Sequence, residues 1–261
     1  MHRPLTRLSS DAPRLHRFIH ELASWGLNHS EVYWKLAQAL APAPGAAGLL
    51  INERYSLRLN LAAQTEQRMY EGEEQNGLLL VSRLVTPGGH CIDLGAHIGL
   101  YTVLMASRVG AQGRVITFEP CTPVGERLLA HTRELPQVTA VHGLEALSEA
   151  QGPAPIELLR LEGADWGPRV FEEAPELLRA HRVQALLTTV GPGAIPLRLL
   201  APHFPLKEYA HFQVGERPSR THLRRRPALA PVDLQRRDAS RFTLLAIRRD
   251  CIGRIVDLLA P

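Results

Sequence analysis

Lysine is almost absent from this chain: Lys35 and Lys207 are the only two among 30 basic residues in 261. The preference for arginine looks more like genomic base composition than like charge chemistry. A formal net charge of +4 is too mild to argue for a nucleic-acid partner. Cysteine is scarce too. Cys91, Cys121 and Cys251 are odd in number, far apart and form no CxxC pair, so neither a disulfide framework nor a zinc site is indicated. No apolar run approaches the roughly 18 to 20 residues that cross a bilayer, so no membrane segment is expected. The opening MHRPLTRLSSD lacks the apolar stretch of a secretion signal, and a reducing cytoplasm is the expected setting. The length allows one sizeable core and would crowd a second full domain.

What is present is organised around CIDLGAHIGLYTV, residues 91–103. Cys91 and Ile92 read as the end of a buried strand, with Asp93 where it runs out. Gly95 and Gly99 bracket a tight turn, with Ala96, His97 and Ile98 between them, and Leu100, Val103 and Leu104 then recur at helical spacing. Strand, glycine turn and helix in that order can cradle a cofactor, because glycine lets the backbone come close and the helix N-terminus offers free amides. The spacing is not the G-x-G-x-x-G of dinucleotide folds. An acid two positions before the first glycine suits a cationic ligand, and S-adenosylmethionine, with its sulfonium and ammonium, is the better candidate. An ordinary strand-to-helix turn is the plain alternative.

Around this centre the pattern alternates. Residues 11–40 read as two amphipathic helices. Leu15, Phe18, Ile19 and Leu22 share a face of the first, and Asn28 with Glu31 makes a capping box for the second. His16 and His20 stand one turn apart, as metal ligands can, but no third ligand is evident and no metal is expected. APAPG (41–45) is a stiff connector, which divides the chain into an N-terminal appendage, 1–45, and a main domain, 46–261. The appendage could cover a pocket or form a homodimer. A hairpin at 49–59 and a helical run over 64–85 follow, and MYEGEEQN (69–76) places Glu74 among three carboxylates just before the cofactor turn, with a solvated acidic turn as the alternative.

A second strand, 115–118, ends in Glu119 and Pro120. An acid there is what a Rossmann-like fold uses to hold both ribose hydroxyls of an adenosine group. A third strand, 138–142, exits through Glu145 and Ala146, a normal place for adenine contacts. Strands at 156–161 and 183–190, with a helix over 166–174 between them, complete an alternating order. That order means a doubly wound, mostly parallel α/β sheet. Strand-like segments at 209–214 and 242–248 suggest an antiparallel C-terminal hairpin, interrupted by an insertion at 215–241. From residue 215 onward there are 11 arginines against 5 carboxylates, densest in HLRRRP (222–227). The segment suits an anionic acceptor or is simply a solvated loop. It has no aromatic interleaving of the kind that stacks single-stranded nucleic acid.

These residues resemble the FkbM family of S-adenosylmethionine-dependent methyltransferases, most specifically over residues 70–190. DLGAHIGLYT is similar to the family's first motif, usually read with Asn where this chain has His97. VITFEP is similar to its ribose-binding strand, and ALSEAQG (146–152) to the segment after its third strand. IELLRLEGADW resembles a later hallmark in which Lys, Asp, Glu-Gly and a second acidic residue follow one another. VFEEAPELL and FTLLAI resemble the helix break after that hallmark and the last strand. Two departures stand out. Only Pro153, Ala154 and Pro155 separate Gly152 from the fourth strand, where the family usually has a longer stretch with a strand and an acidic motif. Arg160 stands either in the Lys position, with two residues lost after it, or in the Asp position.

The resemblance implies a Rossmann-like class I methyltransferase. S-Adenosylmethionine would be held by Glu74, Asp93, Gly95, Ala96, His97, Gly99, Glu119, Pro120, Glu145 and Ala146. The acceptor would be a hydroxyl of a small molecule, sugar or peptide, with an amide nitrogen as the other option. Glu162 is the first candidate for the base and Asp165 the second, with Arg160 beside them. The structural alternatives are an Arg160–Glu162 pair and Asp165 as cap of the helix at Trp166. A non-catalytic relative that binds the cofactor or a partner as a scaffold is the rival from another class. Methylation of nucleic acid rests on the arginine-rich segment alone.

Overall fold

The computed structural model describes residues 5–10, 12–24, 46–72, 74–178, 182–218, 225–232 and 240–256. The expected helix at 28–40, the connector and the HLRRRP segment up to Arg224 lie outside them. The chain divides into two units, Met1–Val81 with Glu216–Pro227, and Ser82–Gly215 with Ala228–Pro261.

In the first unit, β1 (Thr6–Leu8), β2 (Ala46–Ile51) and β3 (Tyr55–Asn60) form an antiparallel sheet in that order. Leu57 and Leu59 are buried while Ser56, Arg58 and Asn60 face out, the period of two that a half-buried strand requires. Asn52 and Glu53 turn the hairpin with positive φ. The helical run at 64–85 is two helices, not one: α2 (Gln64–Glu71) and α3 (Gln75–Leu84). Gly72 at φ +83° ends the first, its N–H closing on the carbonyls of Arg68 and Met69, a conformation a side chain would strain.

Helix α1 (Arg14–Ser24) differs from its expected apolar stripe. Ile19 is buried, but Leu15 and Phe18 are about half exposed, because the histidines take the inner positions. His16 Nδ1 bonds the Tyr70 hydroxyl at 2.6 Å. His20 lies between the Tyr70 carbonyl, 2.7 Å from Nδ1, and the Thr6 hydroxyl, 3.0 Å from Nε2. A carbonyl only accepts, so Nδ1 carries the proton and Nε2 accepts from Thr6, which in turn accepts from Gln75. The one-turn spacing thus serves packing. Burial lowers the His20 pKa from its ordinary 6.5, against two hydrogen bonds that raise it. A lowered folded pKa means the neutral form is favoured in the fold, so the stability it confers is complete above 6.5 and is lost as pH falls towards the folded value. Wild type is expected to lose thermal stability between about pH 8 and pH 5, and His20→Gln to lose less of it. Melting curves across that range check this, and parallel losses in both proteins would count against it.

The other sheet has eight strands. Its strands are β4 (His90–Leu94), β5 (Arg114–Phe118), β6 (Val138–Ala140), β7 (Leu158–Leu161), β8 (Ala185–Val190), β9 (Tyr209–Pro218), β10 (Arg225–Pro231) and β11 (Phe242–Arg248). They lie in the order β10-β9-β11-β8-β7-β4-β5-β6. From β8 to β6 all pairs are parallel, and β11 enters antiparallel between β8 and β9. This is the mostly parallel Rossmann-like sheet with antiparallel C-terminal strands that the alternation predicts. The insertion contributes one more strand, β10, at the sheet edge. The order of parallel strands reverses at β4, whose neighbours are β5 and β7, and the carboxyl ends of strands at such a point are where open α/β sheets bind ligands.

Helix α4 (Leu100–Val109) follows β4, and all but Ser107 and Arg108 of it is buried. Helix α5 (Thr122–Thr132) follows β5, and the short α6 (Ala146–Gln151) follows β6. After β7 the expected helix over 166–174 is a 3₁₀ turn, Gly167–Arg169, and a single turn, α7 (Val170–Glu173). The core on this side joins Ile92, Leu94, Ile116, Leu159, Leu161 and Leu186, all fully buried, beneath the strand ends that form the site.

Candidate functional site

Asp93 is the fourth residue of β4, and parallel register places Arg160 of β7 on one side of it and Thr117 of β5 on the other. Its carboxylate is fully buried. Oδ1 meets Arg160 Nη1 at 3.0 Å, and Oδ2 accepts from the Thr102 hydroxyl at 2.6 Å. Thr102 reaches Thr117 at 3.1 Å as well. Arg160 is held from a second direction, its guanidinium 4.1 Å from the centre of the Tyr101 ring. The acid that ends the strand therefore already has a cation beside it.

The turn beyond Asp93 is fixed by the neighbouring strand. Gly95 N and Ala96 N both donate to the Phe118 carbonyl, at 2.8 and 3.1 Å. Gly95 sits at φ +76°, and a Cβ on it would come within 2.1 Å of the Glu162 carbonyl oxygen and 2.8 Å of the Trp166 ring. Only glycine allows that approach. His97 takes φ +53°, a region that Asn, Asp and His enter most readily. This explains physically how histidine can stand where the resembling motif has asparagine. Gly99 caps α4.

Glu119 lies across the turn from the end of β5. Oε2 accepts from His97 N at 2.8 Å and Oε1 from Cys121 N at 3.0 Å. An ionised carboxylate offers about four acceptor sites, so these two bonds orient it without exhausting it. It stands in the wall of a cavity of about 570 Å³, with Phe118, Pro120, Val141, Glu145 and Trp166 among the other lining residues. That is within the usual range of small-molecule sites, roughly 300–1,000 Å³. Phe118 and Trp166 meet edge to face with centroids 5.3 Å apart. Glu145 is exposed, its carboxylate folded against Gly143, and Ala146 opens α6.

Glu162 follows β7 directly, its N–H donating to the Leu94 carbonyl at 2.9 Å and its Oε1 accepting from the Thr189 hydroxyl of β8 at 3.1 Å. Asp165 is exposed, and the helix cap beside it is Trp166, with no side-chain hydrogen bond. Glu74 belongs to the first unit, in the turn before α3, where its carbonyl accepts from Leu78 N. The second unit thus brings Asp93, Gly95, Ala96, His97, Gly99, Glu119, Pro120, Arg160 and Glu162 together at the strand ends around β4. Thr102, Tyr101, Thr189 and Trp166 were not legible as partners, since each acts through a neighbour remote in sequence. Among the described residues no group of three or more side chains could hold a metal. Cys91, next to the site, has its thiol pushed up by burial and stays protonated.

No protein-family model matches the chain, and no curated protein matches it. Among solved structures it is similar to an rRNA methylase from Streptococcus thermophilus, at 11% identity and TM-score 0.44 over 67% of this chain and 95% of that one. It is similar to an S-adenosylmethionine-dependent O-methyltransferase from Thermotoga maritima, at 13% identity and TM-score 0.41 over 81% and 80%. A third is TYW2 of M. jannaschii in complex with AdoMet, at 10% identity and TM-score 0.46 over 80% and 87%. With each of these scores below 0.5, the weight falls on this chain's own strand order and residues.

Proposed function

We propose that this chain is an S-adenosylmethionine-dependent methyltransferase of the FkbM type, methylating a hydroxyl of a small molecule, sugar or peptide in the cytoplasm. The observation that carries the reading is Glu119. It is held by two backbone amides at the rim of a cavity with aromatic walls, beside the glycine turn of the central strand. Phe118 and Trp166 offer apolar surface to an adenine ring, and the remaining acceptor sites of Glu119 suit ribose hydroxyls. When bound, S-adenosylmethionine supplies an electrophilic methyl group. The chain's part is to orient the acceptor oxygen and to take its proton, for which Glu162, at the carboxyl end of β7 beside the glycine turn, is a group of the right kind.

Glu119→Ala is expected to weaken binding of S-adenosylhomocysteine by roughly ten- to a hundredfold, as loss of a charge-assisted contact of about 1.5–3 kcal/mol would. Calorimetry on both proteins checks it, and equal affinities would remove Glu119 from the site. Tritiated-methyl transfer into small-molecule, peptide and RNA fractions of a lysate then identifies the acceptor class. The second reading, a scaffold without turnover, is favoured by one observation: the Asp93 charge is already matched by Arg160. Cofactor binding without label transfer to any fraction supports it.

A further inference from the structure

One side chain, that of Trp166, borders both the cavity and the glycine turn that follows Asp93. Trp166 walls the cavity, yet among the described residues that line it neither Asp93 nor Arg160 appears. On its other side the indole lies against two glycines. A Cβ on Gly95 would be 2.8 Å from its Cζ2, and a Cβ on Gly163, at φ +130°, would be 2.1 Å from its Nε1. The space that the glycines clear in front of the turn is therefore filled by the chain's own indole and by the Glu162 carbonyl. Behind it Asp93 is fully buried and the Arg160 side chain is 14% exposed. The cavity's volume, about 570 Å³, is in the range of small-molecule sites and large enough for a nucleoside. An amino-acid arm cannot reach the turn until the indole has left it.

We propose that Trp166 is the specificity-determining residue of this site: the preformed cavity takes the adenosine part of a 5′-thioadenosine ligand, and the indole holds the amino-acid arm away from Gly95 until it swings aside. This rests on the cofactor reading above. Binding of the arm must offset both the lost packing of the indole on Phe118, Gly95 and Gly163 and the replacement of Arg160 as the cation beside Asp93. A ligand that lacks the arm bears neither cost. The wild-type site thus discriminates little between the full cofactor product and its nucleoside fragment, and shortening residue 166 restores the discrimination.

The test is calorimetric titration of wild type, Trp166→Ala and Trp166→Phe with 5′-methylthioadenosine and with S-adenosylhomocysteine. Wild type is expected to bind the two within about threefold of each other, and Trp166→Ala to prefer S-adenosylhomocysteine by a further factor of roughly ten. Trp166→Phe, which keeps a ring against the glycines, should fall between them and serves if the alanine variant does not fold. A wild-type preference for S-adenosylhomocysteine of roughly tenfold or more overturns the proposal and leaves the cofactor reading standing. So does a ratio that neither variant changes. Binding of neither ligand by wild type overturns the cofactor reading and the proposal with it.

Discussion

Asp93→Ala is expected to destabilise the second unit by about 3–5 kcal/mol, the cost of breaking a buried ion pair from one side. Asp93 is fully buried and the Arg160 side chain 14% exposed, so water cannot take over much of what the carboxylate provides. Removing it takes the carboxylate away from a guanidinium that also meets the Tyr101 face and the Gly95 carbonyl, 3.4 Å away. It also leaves the Thr102 hydroxyl without its 2.6 Å acceptor. Asp93→Asn keeps an acceptor for Thr102 and should cost less. The double variant Asp93→Leu/Arg160→Met replaces the pair with apolar groups and should recover most of the loss, since a buried pair is often no better than well-packed hydrophobic side chains. Urea unfolding of the four proteins measures this. An Asp93→Ala protein within about 1 kcal/mol of wild type would mean that the pair confers little and that the strand end can accommodate a lone cation. The outcome bears on function too. If the double variant is stable, its affinity for S-adenosylhomocysteine reports on the role of the acid in binding, free of the folding loss.

The course of the chain through the sheet was legible because local signals sufficed. Gly95 and Gly99 mark the turn after β4. The apolar run before Glu119 marks β5, and the missing helix between the last strands announces their antiparallel arrangement. Short or strongly polar elements carried no such signal. β1 has three residues, and β10 begins in the arginine-rich insertion, where pairing at a sheet edge outweighs composition. The break at Gly72 comes before the helical spacing of Leu78, Val81 and Val85 begins, so that spacing carried no sign of it. For the site, the identity of the acids was readable but not their partners. Whether Arg160 meets Asp93 or turns to the opposite face depends on the register of β4 against β7, and a slip of one residue would reverse it. Trp166 reads as a helix start. That it fills the turn follows only from two glycines, 68 positions apart in the chain, that have no Cβ to keep it out.

Glu162→Gln is expected to lose roughly 10²- to 10⁴-fold in methyl transfer to a hydroxyl acceptor while keeping cofactor affinity, the contribution of a positioned base. Glu162 leaves β7 beside the glycine turn, and its backbone is fixed to Leu94. The Thr189 hydroxyl, donating to Oε1, holds the carboxylate at the strand ends. Glutamine keeps an oxygen that can accept from Thr189 and loses only the capacity to take a proton, so the substitution separates chemistry from architecture. Asp165 is the control as well as the second candidate. Its side chain is exposed, and a surface change there should stay within about 0.5 kcal/mol in stability. A turnover loss in Asp165→Asn would therefore be chemical. The measurement is single-turnover transfer of tritiated methyl into the acceptor found by lysate labelling, with urea unfolding and S-adenosylhomocysteine titration on each variant. A Glu162→Gln protein that folds, binds and transfers like wild type removes Glu162 from the chemistry. If Asp165→Asn alone is slow, the base is Asp165. If both variants match wild type, deprotonation falls to no carboxylate in the EGAD segment. The base then lies elsewhere at the cavity, where Glu145 and His142 stand, or the acceptor loses its proton to water.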